Sequence, residues 1–265
     1  ELGNAIRKGL KNREFVVFMQ PKCNLNTGKI VGMEALARWK KTDGAIVLPG
    51  DFIPYMEETG LITDLDVYMW EEVCRELRSV MDDGKEMLLP VSVNVSIADV
   101  YALDVPEVFR TLAERYGVPP EYLEVEITES IYARDTERIN DMVRQLRKDG
   151  VTVLMDDFGS GYSSLLALKR FPFDLVKIDR GFVSGMLQDK TQAAFVPALT
   201  SLVHNVGRRV CLEGVETMEE YEAVQKLGIE VLQGYYFGKP VPAEVFEDKY
   251  LNSICGGVRS NRNRA

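Results

Sequence analysis

Apolar positions recur along this chain with two different periods, and the change from one to the other marks out its elements. In LITDLDVYMWEEVCRELRSVM, residues 61–81, Leu65, Met69, Val73 and Leu77 fall four apart, the spacing of one face of an amphipathic helix. Leu2, Ala5, Ile6 and Leu10 share a face in the same way, so the chain opens with a helix over about 1–14. Further helices are predicted near 51–60, over 105–117 and 137–150, and near 189–206 and 217–227. Between them lie short β-branched runs: 88–96, 122–130, 151–157, 174–180, 209–216 and 230–238. Runs of that length, rich in Val and Ile, read as buried strands.

The segment FVVFMQPKCNLNTGKIVGMEALARW differs, because a turn at Asn26-Thr27-Gly28 separates two strand-like halves and so predicts an antiparallel hairpin. Counting both halves gives eight strands, mostly alternating with helices. The count and the length of 265 residues fit a (β/α)8 barrel with an irregular first hairpin, and a doubly wound open sheet is the alternative. Neither G-x-G-x-x-G after the first strand nor a Walker loop occurs, so those nucleotide folds gain no support. One domain is expected over 1–255, with a disordered tail at 256–265.

Composition excludes several classes. The chain holds 32 basic and 41 acidic residues, a net charge of −9, which speaks against a DNA- or RNA-binding surface built on phosphate neutralisation. A phosphate ligand would need metal ions. Cys23, Cys74, Cys211 and Cys255 lie far apart, which suits reduced thiols in a cytoplasmic setting rather than zinc or a disulfide scaffold. No apolar run reaches membrane-spanning length and no leader pattern is visible, so no membrane contact is expected of this fragment. It begins like an excised domain, and something is expected to precede it.

Strand ends carry the candidate chemistry. Glu34, Asn94, Glu126, Asp156, Lys177, Glu213 and Gln233 each interrupt or close a different apolar strand, and a barrel would bring them to one mouth. Glu34, Leu36 and Arg38 share a face at period two. The stretch 151–164 ends its apolar run in Asp156 and Asp157 and passes through Gly159 and Gly161 towards a helix near Ser163. Two carboxylates about 4 Å apart repel by roughly 4 kcal/mol at an effective dielectric near 20, so such a cluster needs cations. An all-oxygen set containing an Asn carbonyl suits Mg²⁺ or Mn²⁺ rather than zinc. His204 falls within a predicted helix and reads as structural or surface. Tyr235, Tyr236 and Phe237 read as core or as a stacking surface for a base.

Taken in order, EALAR at 34–38, VNVS at 93–96, EITES at 126–130, DDFGSGYSSL at 156–165, VKID at 176–179, EGVET at 213–217 and QGYYFGKP at 233–240 resemble the EAL domain family. FMQP at 18–21 and GLI at 60–62 match it too, and the resemblance spans essentially the whole chain. It implies a barrel whose first strand runs antiparallel to the rest, and hydrolysis of cyclic di-GMP to linear pGpG with two divalent cations, Mg²⁺ or Mn²⁺, and inhibition by Ca²⁺. It further implies that Glu34, Asn94, Glu126 and Asp156 hold one metal, that Asp156 bridges to a second held with Asp157 and Glu213, and that Lys177 and Glu213 orient or deprotonate the attacking water. Gln20, Arg38 and Gln233 match substrate-contacting positions, and Glu129 matches the anchor of the loop 158–162. A dimer near 158–170 is implied, as are N-terminal sensory or GGDEF domains that could tether the full protein to a membrane. Lys22, Ala37 and Leu212 depart from the usual pattern without removing a proposed ligand. A catalytically silent receptor for cyclic di-GMP and a metal-enolate lyase are the alternative functions.

Overall fold

The computed structural model describes residues 2–84, 88–132, 135–160, 165–246 and 249–250, and the tail expected at 256–265 lies outside them. Ten strands are present among the described residues: β1 (Phe15–Asn24), β2 (Ile30–Lys40), β3 (Ile46–Val47), β4 (Val91–Asn94), β5 (Leu123–Thr128), β6 (Thr152–Phe158), β7 (Leu175–Ile178), β8 (Arg209–Leu212), β9 (Val231–Gln233) and β10 (Val241–Pro242). Helices are α1 (Leu2–Lys11), α2 (Ile53–Thr59), α3 (Ile62–Asp82), α4 (Ile97–Ala102), α5 (Val105–Tyr116), α6 (Glu129–Tyr132), α7 (Thr136–Lys148), α8 (Leu165–Arg170), α9 (Lys190–Asn205), α10 (Met218–Val224) and α11 (Ala243–Phe246).

Eight of the strands close a barrel. β2, β4, β5, β6, β7, β8 and β9 pair in parallel, and β1 closes the ring by pairing antiparallel to both β2 and β9. The expected fold and its antiparallel first strand are therefore both present. The two-residue strands β3 and β10, which no periodicity could announce, extend β2 and β1 at the sides.

Alternation along each strand separates two environments. On β5, Val125 and Ile127 are fully buried in the large core beneath the helices, while Glu124 and Glu126 fall on the other face at period two. A second, separate apolar cluster of Leu154, Leu175, Cys211 and Val231, one residue each from β6, β7, β8 and β9, plugs one end of the barrel interior. Helix α3 buries Leu65, Met69, Val73 and Leu77 as their spacing predicts. Its Trp70 packs on Phe109 of α5 at 4.8 Å and donates its indole N–H to the carbonyl of Asn94 at 3.0 Å. That contact ties the helical layer to the end of β4.

Three details differ from the sequence pattern. Helix α1 buries Gly3, Ile6 and Gly9 and leaves Leu2 exposed, because a Cβ at Gly9 would come within 2.9 Å of the Trp39 indole. The helix lies so close that glycine is needed beside Ile6, while Ala5 and Leu10 pack against the core as expected. β5 stops at Thr128 and Glu129 begins α6, so the strand expected to run to residue 130 is shorter. β9 stops at Gln233, where the expected strand ran on to 238: Gly234 sits against the backbone of Val215, whose carbonyl accepts the Tyr236 N–H at 3.1 Å. A Cβ at Gly234 would stand 2.1 Å from that carbonyl oxygen.

Gly234→Ala is accordingly expected to destabilise the fold by about 2–4 kcal/mol, since neither neighbour is a flexible side chain. Urea unfolding measures it; an unchanged midpoint would mean that this backbone approach is not needed to close the barrel.

Candidate active site

Strand register delivers the polar side chains to one end of the barrel. Glu34 on β2 and Gln20 on β1 are register partners, Asn94 faces Glu126 across β4 and β5, and Lys177 sits at the middle of β7. Lys177 is 1% exposed, and its Nζ lies 2.5 Å from Glu126 Oε2, 2.8 Å from Glu213 Oε1, 3.1 Å from Asp156 Oδ1 and 3.3 Å from Glu34 Oε2. One ammonium thus holds carboxylates from four separate chain segments. Gln233 Nε2 donates to Glu34 Oε2 at 2.6 Å and to Gln20 Oε1 at 3.2 Å, which adds both glutamines to the cluster.

Electrostatics follow from this crowding. Burial pushes Glu34, Asp156 and Glu213 up, Glu213 to about 8, with the neighbouring carboxylates adding to the effect and Lys177 opposing it. Burial acts the same way on Glu126, but Lys177 and Lys22 outweigh it and hold this carboxyl below its ordinary value. Burial opposes the charge on Lys177 as well, yet the surrounding acids keep it firmly protonated. Too few cations surround the acids for all of them to ionise.

At the rim, β6 carries a bulge between Met155 and Phe158, and Asp157 takes a left-handed φ of 55°, a conformation that costs a non-glycine residue strain. The twist brings the carboxylates of Asp156, Asp157 and Glu213 within 4.8 Å of one another. Asp157 is pushed up by burial and then by Asp179. Glu129 Oε2 accepts the N–H of Gly159 at 3.0 Å, tying the first turn of α6 to the start of the following loop. Gly159 has a φ of 95°, and a Cβ there would meet Phe182 at 2.3 Å. Residues 161–164 of that loop lie outside the described residues, as does part of the expected dimer segment.

Other expected residues stand apart from Lys177. Asn94 is exposed at the end of β4 and forms one wall of a cleft of about 730 Å³ whose other walls include Ala35, Pro49, Asp66, Ser96 and Ile131. The Arg38 guanidinium donates to the Ala37 carbonyl at 2.8 Å and lies over the Phe18 ring at 5.4 Å. Of the aromatic trio, Tyr236 and Phe237 pack on Tyr221 at 5.1 and 5.8 Å, while Tyr235 is 52% exposed with Lys239 over its ring. His204 pairs with Glu230 at 3.0 Å, in α9 and outside the carboxylate cluster. Sequence reading passed over Glu124, Asp179 and the part played by Lys22. Period two along β1 and β5 would have placed Lys22 beside Gln20 and Glu124 beside Glu126, whereas Asp179 follows β7 and acts on Asp157.

The donor set fits divalent cations. It is built from oxygen atoms, and among the described residues buried Glu126 Oε1 and Asp156 Oδ1 face no neutral hydrogen-bond donor, only ammonium groups at 3.5 and 3.1 Å. Hard cations with oxygen ligands suit such a site.

Comparison with known proteins gives one answer. The family model described as EAL domain matches residues 3–240. The bifunctional diguanylate cyclase/cyclic di-GMP phosphodiesterase MucR of Pseudomonas aeruginosa is 36% identical over 244 residues, covering 92% of this chain and 36% of MucR. The cyclic di-GMP phosphodiesterase PdeR of Escherichia coli is 33% identical over 249 residues, covering 94% of this chain and 37% of PdeR. The chain therefore spans little more than a third of the length of these two relatives. The solved structure of the PaMucR phosphodiesterase in complex with c-di-GMP aligns with a TM-score of 0.86 at 36% identity, covering 92% of this chain and 99% of that one.

The raised carboxyls make metal binding proton-linked. A cation takes the ionised form, so with Glu213 at about 8 protons must leave at neutral pH and the apparent affinity must rise with pH until about 8, then level off. Calorimetric titration of metal-free protein with Mg²⁺ in two buffers of different ionisation enthalpy should show proton release at pH 7 and little at pH 9. Equal heats in both buffers at pH 7 would contradict this charge state.

Proposed function

The chain belongs to the EAL domain family, and from that premise we propose that it hydrolyses cyclic di-GMP to linear pGpG at the barrel mouth. The observation that supports this reading most is the ring of Glu34, Glu126, Asp156 and Glu213 around Lys177 Nζ. The relatives named as cyclic di-GMP phosphodiesterases support the choice of substrate.

In this reading Glu34, Asn94, Glu126 and Asp156 would hold one divalent cation, and Asp156, Asp157 and Glu213 would hold a second. Mg²⁺ or Mn²⁺ there supplies Lewis acidity to the phosphate and lowers the pKa of the attacking water. The remaining work falls to the chain. Glu213, ionised when cations are bound, would accept the proton of the water as a general base within reach of it. The Lys177 ammonium, placed among the carboxylates, orients the water and meets charge that develops on the phosphate. Gln20 and Gln233 present amides beside Glu34, and Arg38 offers its guanidinium to a phosphate oxygen. Glu129 holds Gly159 and with it the strained Asp157. The apolar walls of the cleft beside Asn94 accept a base of the dinucleotide. The chain works as the output domain of a larger cytoplasmic signalling protein whose sensory or GGDEF segments set its activity, and it pairs with a second copy. Among the described residues no helix is long and apolar enough to cross a membrane.

Incubation with cyclic di-GMP and chromatographic separation of pGpG tests the reading. Mg²⁺ or Mn²⁺ should support turnover, whereas Ca²⁺, with its longer bonds and looser geometry, should bind without supporting it. Glu213→Gln should keep most of the affinity for cyclic di-GMP and lose at least a hundredfold in kcat, because the group acts mainly in the transition state. Tight binding with no pGpG from the unmodified protein would show a receptor instead.

Glu129→Ala should lower kcat about tenfold or more through the loop it holds. Unchanged turnover would remove that role.

A further inference from the structure

A second buried ammonium lies beside the Lys177 cluster. Lys22 on β1 is 3% exposed, and its Nζ stands 2.5 Å from Glu124 Oε2 and 3.5 Å from Glu126 Oε1. The other oxygen of the same carboxylate, Glu126 Oε2, meets Lys177 at 2.5 Å. Glu126 is thus gripped from two sides by two cations on different strands. The space for the first of these comes from Gly32, the register partner of Lys22 on β2, where a Cβ would come within 3.4 Å of the lysine stem and 3.2 Å of the Pro90 carbonyl.

The two lysines are not equivalent. Lys177 contacts four of the five carboxylates that the proposed metals would use, so cations must compete with it. Among the described residues Lys22 forms ion pairs with Glu124 and Glu126 alone, and it meets Glu126 through the oxygen that Lys177 does not hold, so a cation displacing Lys177 would leave that contact intact. We infer that Lys22 is a positioning residue: it fixes the Glu126 carboxylate from behind, so that the side chain stays in place when Lys177 gives up its contacts to incoming divalent metal. This rests on the reading of Glu126 as a metal ligand. A plain ion pair with Glu124 that merely fills the barrel is the competing explanation.

Comparison of Glu124→Gln with the double variant Lys22→Met/Glu124→Gln separates the two. The double change removes one positive and one negative charge, so the net charge of the interior is unaltered, and replacing both members of a buried pair by neutral groups is often tolerated. Direct Mn²⁺ binding is measured by calorimetry on metal-free protein, with thermal unfolding alongside. Glu124→Gln, which keeps Lys22, should bind Mn²⁺ within about threefold of the unmodified protein. The double variant should unfold cooperatively yet bind at least tenfold more weakly, as expected when the support behind a ligand is lost. If that variant does not fold, Lys22→Gln/Glu124→Gln carries the same expectation. Equal Mn²⁺ affinity in either folded double variant and in Glu124→Gln would overturn the inference alone. Absence of Mn²⁺ binding by the unmodified protein would remove the metal reading and this inference together.

Discussion

Everything at the barrel mouth depends on one ammonium group buried among too many carboxylates. Lys177 is almost wholly enclosed, and a lone charge in that position would be very costly. Four acids from four chain segments make it tolerable. They do so only because the strands arrive in register, so the charge network and the barrel closure specify one another. Moving any strand by a single residue would turn its acid into the apolar shell and an aliphatic side chain into the interior.

The same arrangement is balanced imperfectly, and that imbalance bears on function. Glu34, Asp156 and Glu213 are driven towards protonation while Glu126 is held ionised. A protein under selection for stability alone would gain from replacing such a cluster with well-packed apolar groups. The apolar plug of Leu154, Leu175, Cys211 and Val231 shows that this barrel can fill its interior that way at one end. Keeping the acids at the other end, beside a cleft and next to a left-handed Asp157, fits a site whose charge is completed by cations.

Much of this was legible in the sequence, for a definite reason. Buried parallel strands read as apolar runs, so the polar residues that interrupt them, such as Glu126 in LEVEIT and Lys177 in LVKI, stand out against that background. The hairpin turn at Asn26-Thr27-Gly28 gave away the antiparallel start. What escaped depends on contacts between distant segments. Gly234 ends β9 because of Val215, and α1 needs glycine at position 9 because of Trp39; neither partner is adjacent in sequence. Lys22 looked like a departure from a pattern because its partners, Glu124 and Glu126, lie a hundred residues away. Glu129 was expected on a strand, yet it opens a helix, and from there reaches the Gly159 N–H.

The central claim is that Lys177 occupies the ground that divalent cations contest. Diffraction from crystals grown with saturating Mn²⁺, with anomalous differences recorded at the manganese edge, tests it most directly. The account predicts anomalous density among the carboxylates of Glu34, Glu126, Asp156 and Glu213, with the Lys177 ammonium withdrawn from at least one of them. An interior free of anomalous density, with Lys177 still in contact with all four, would contradict it.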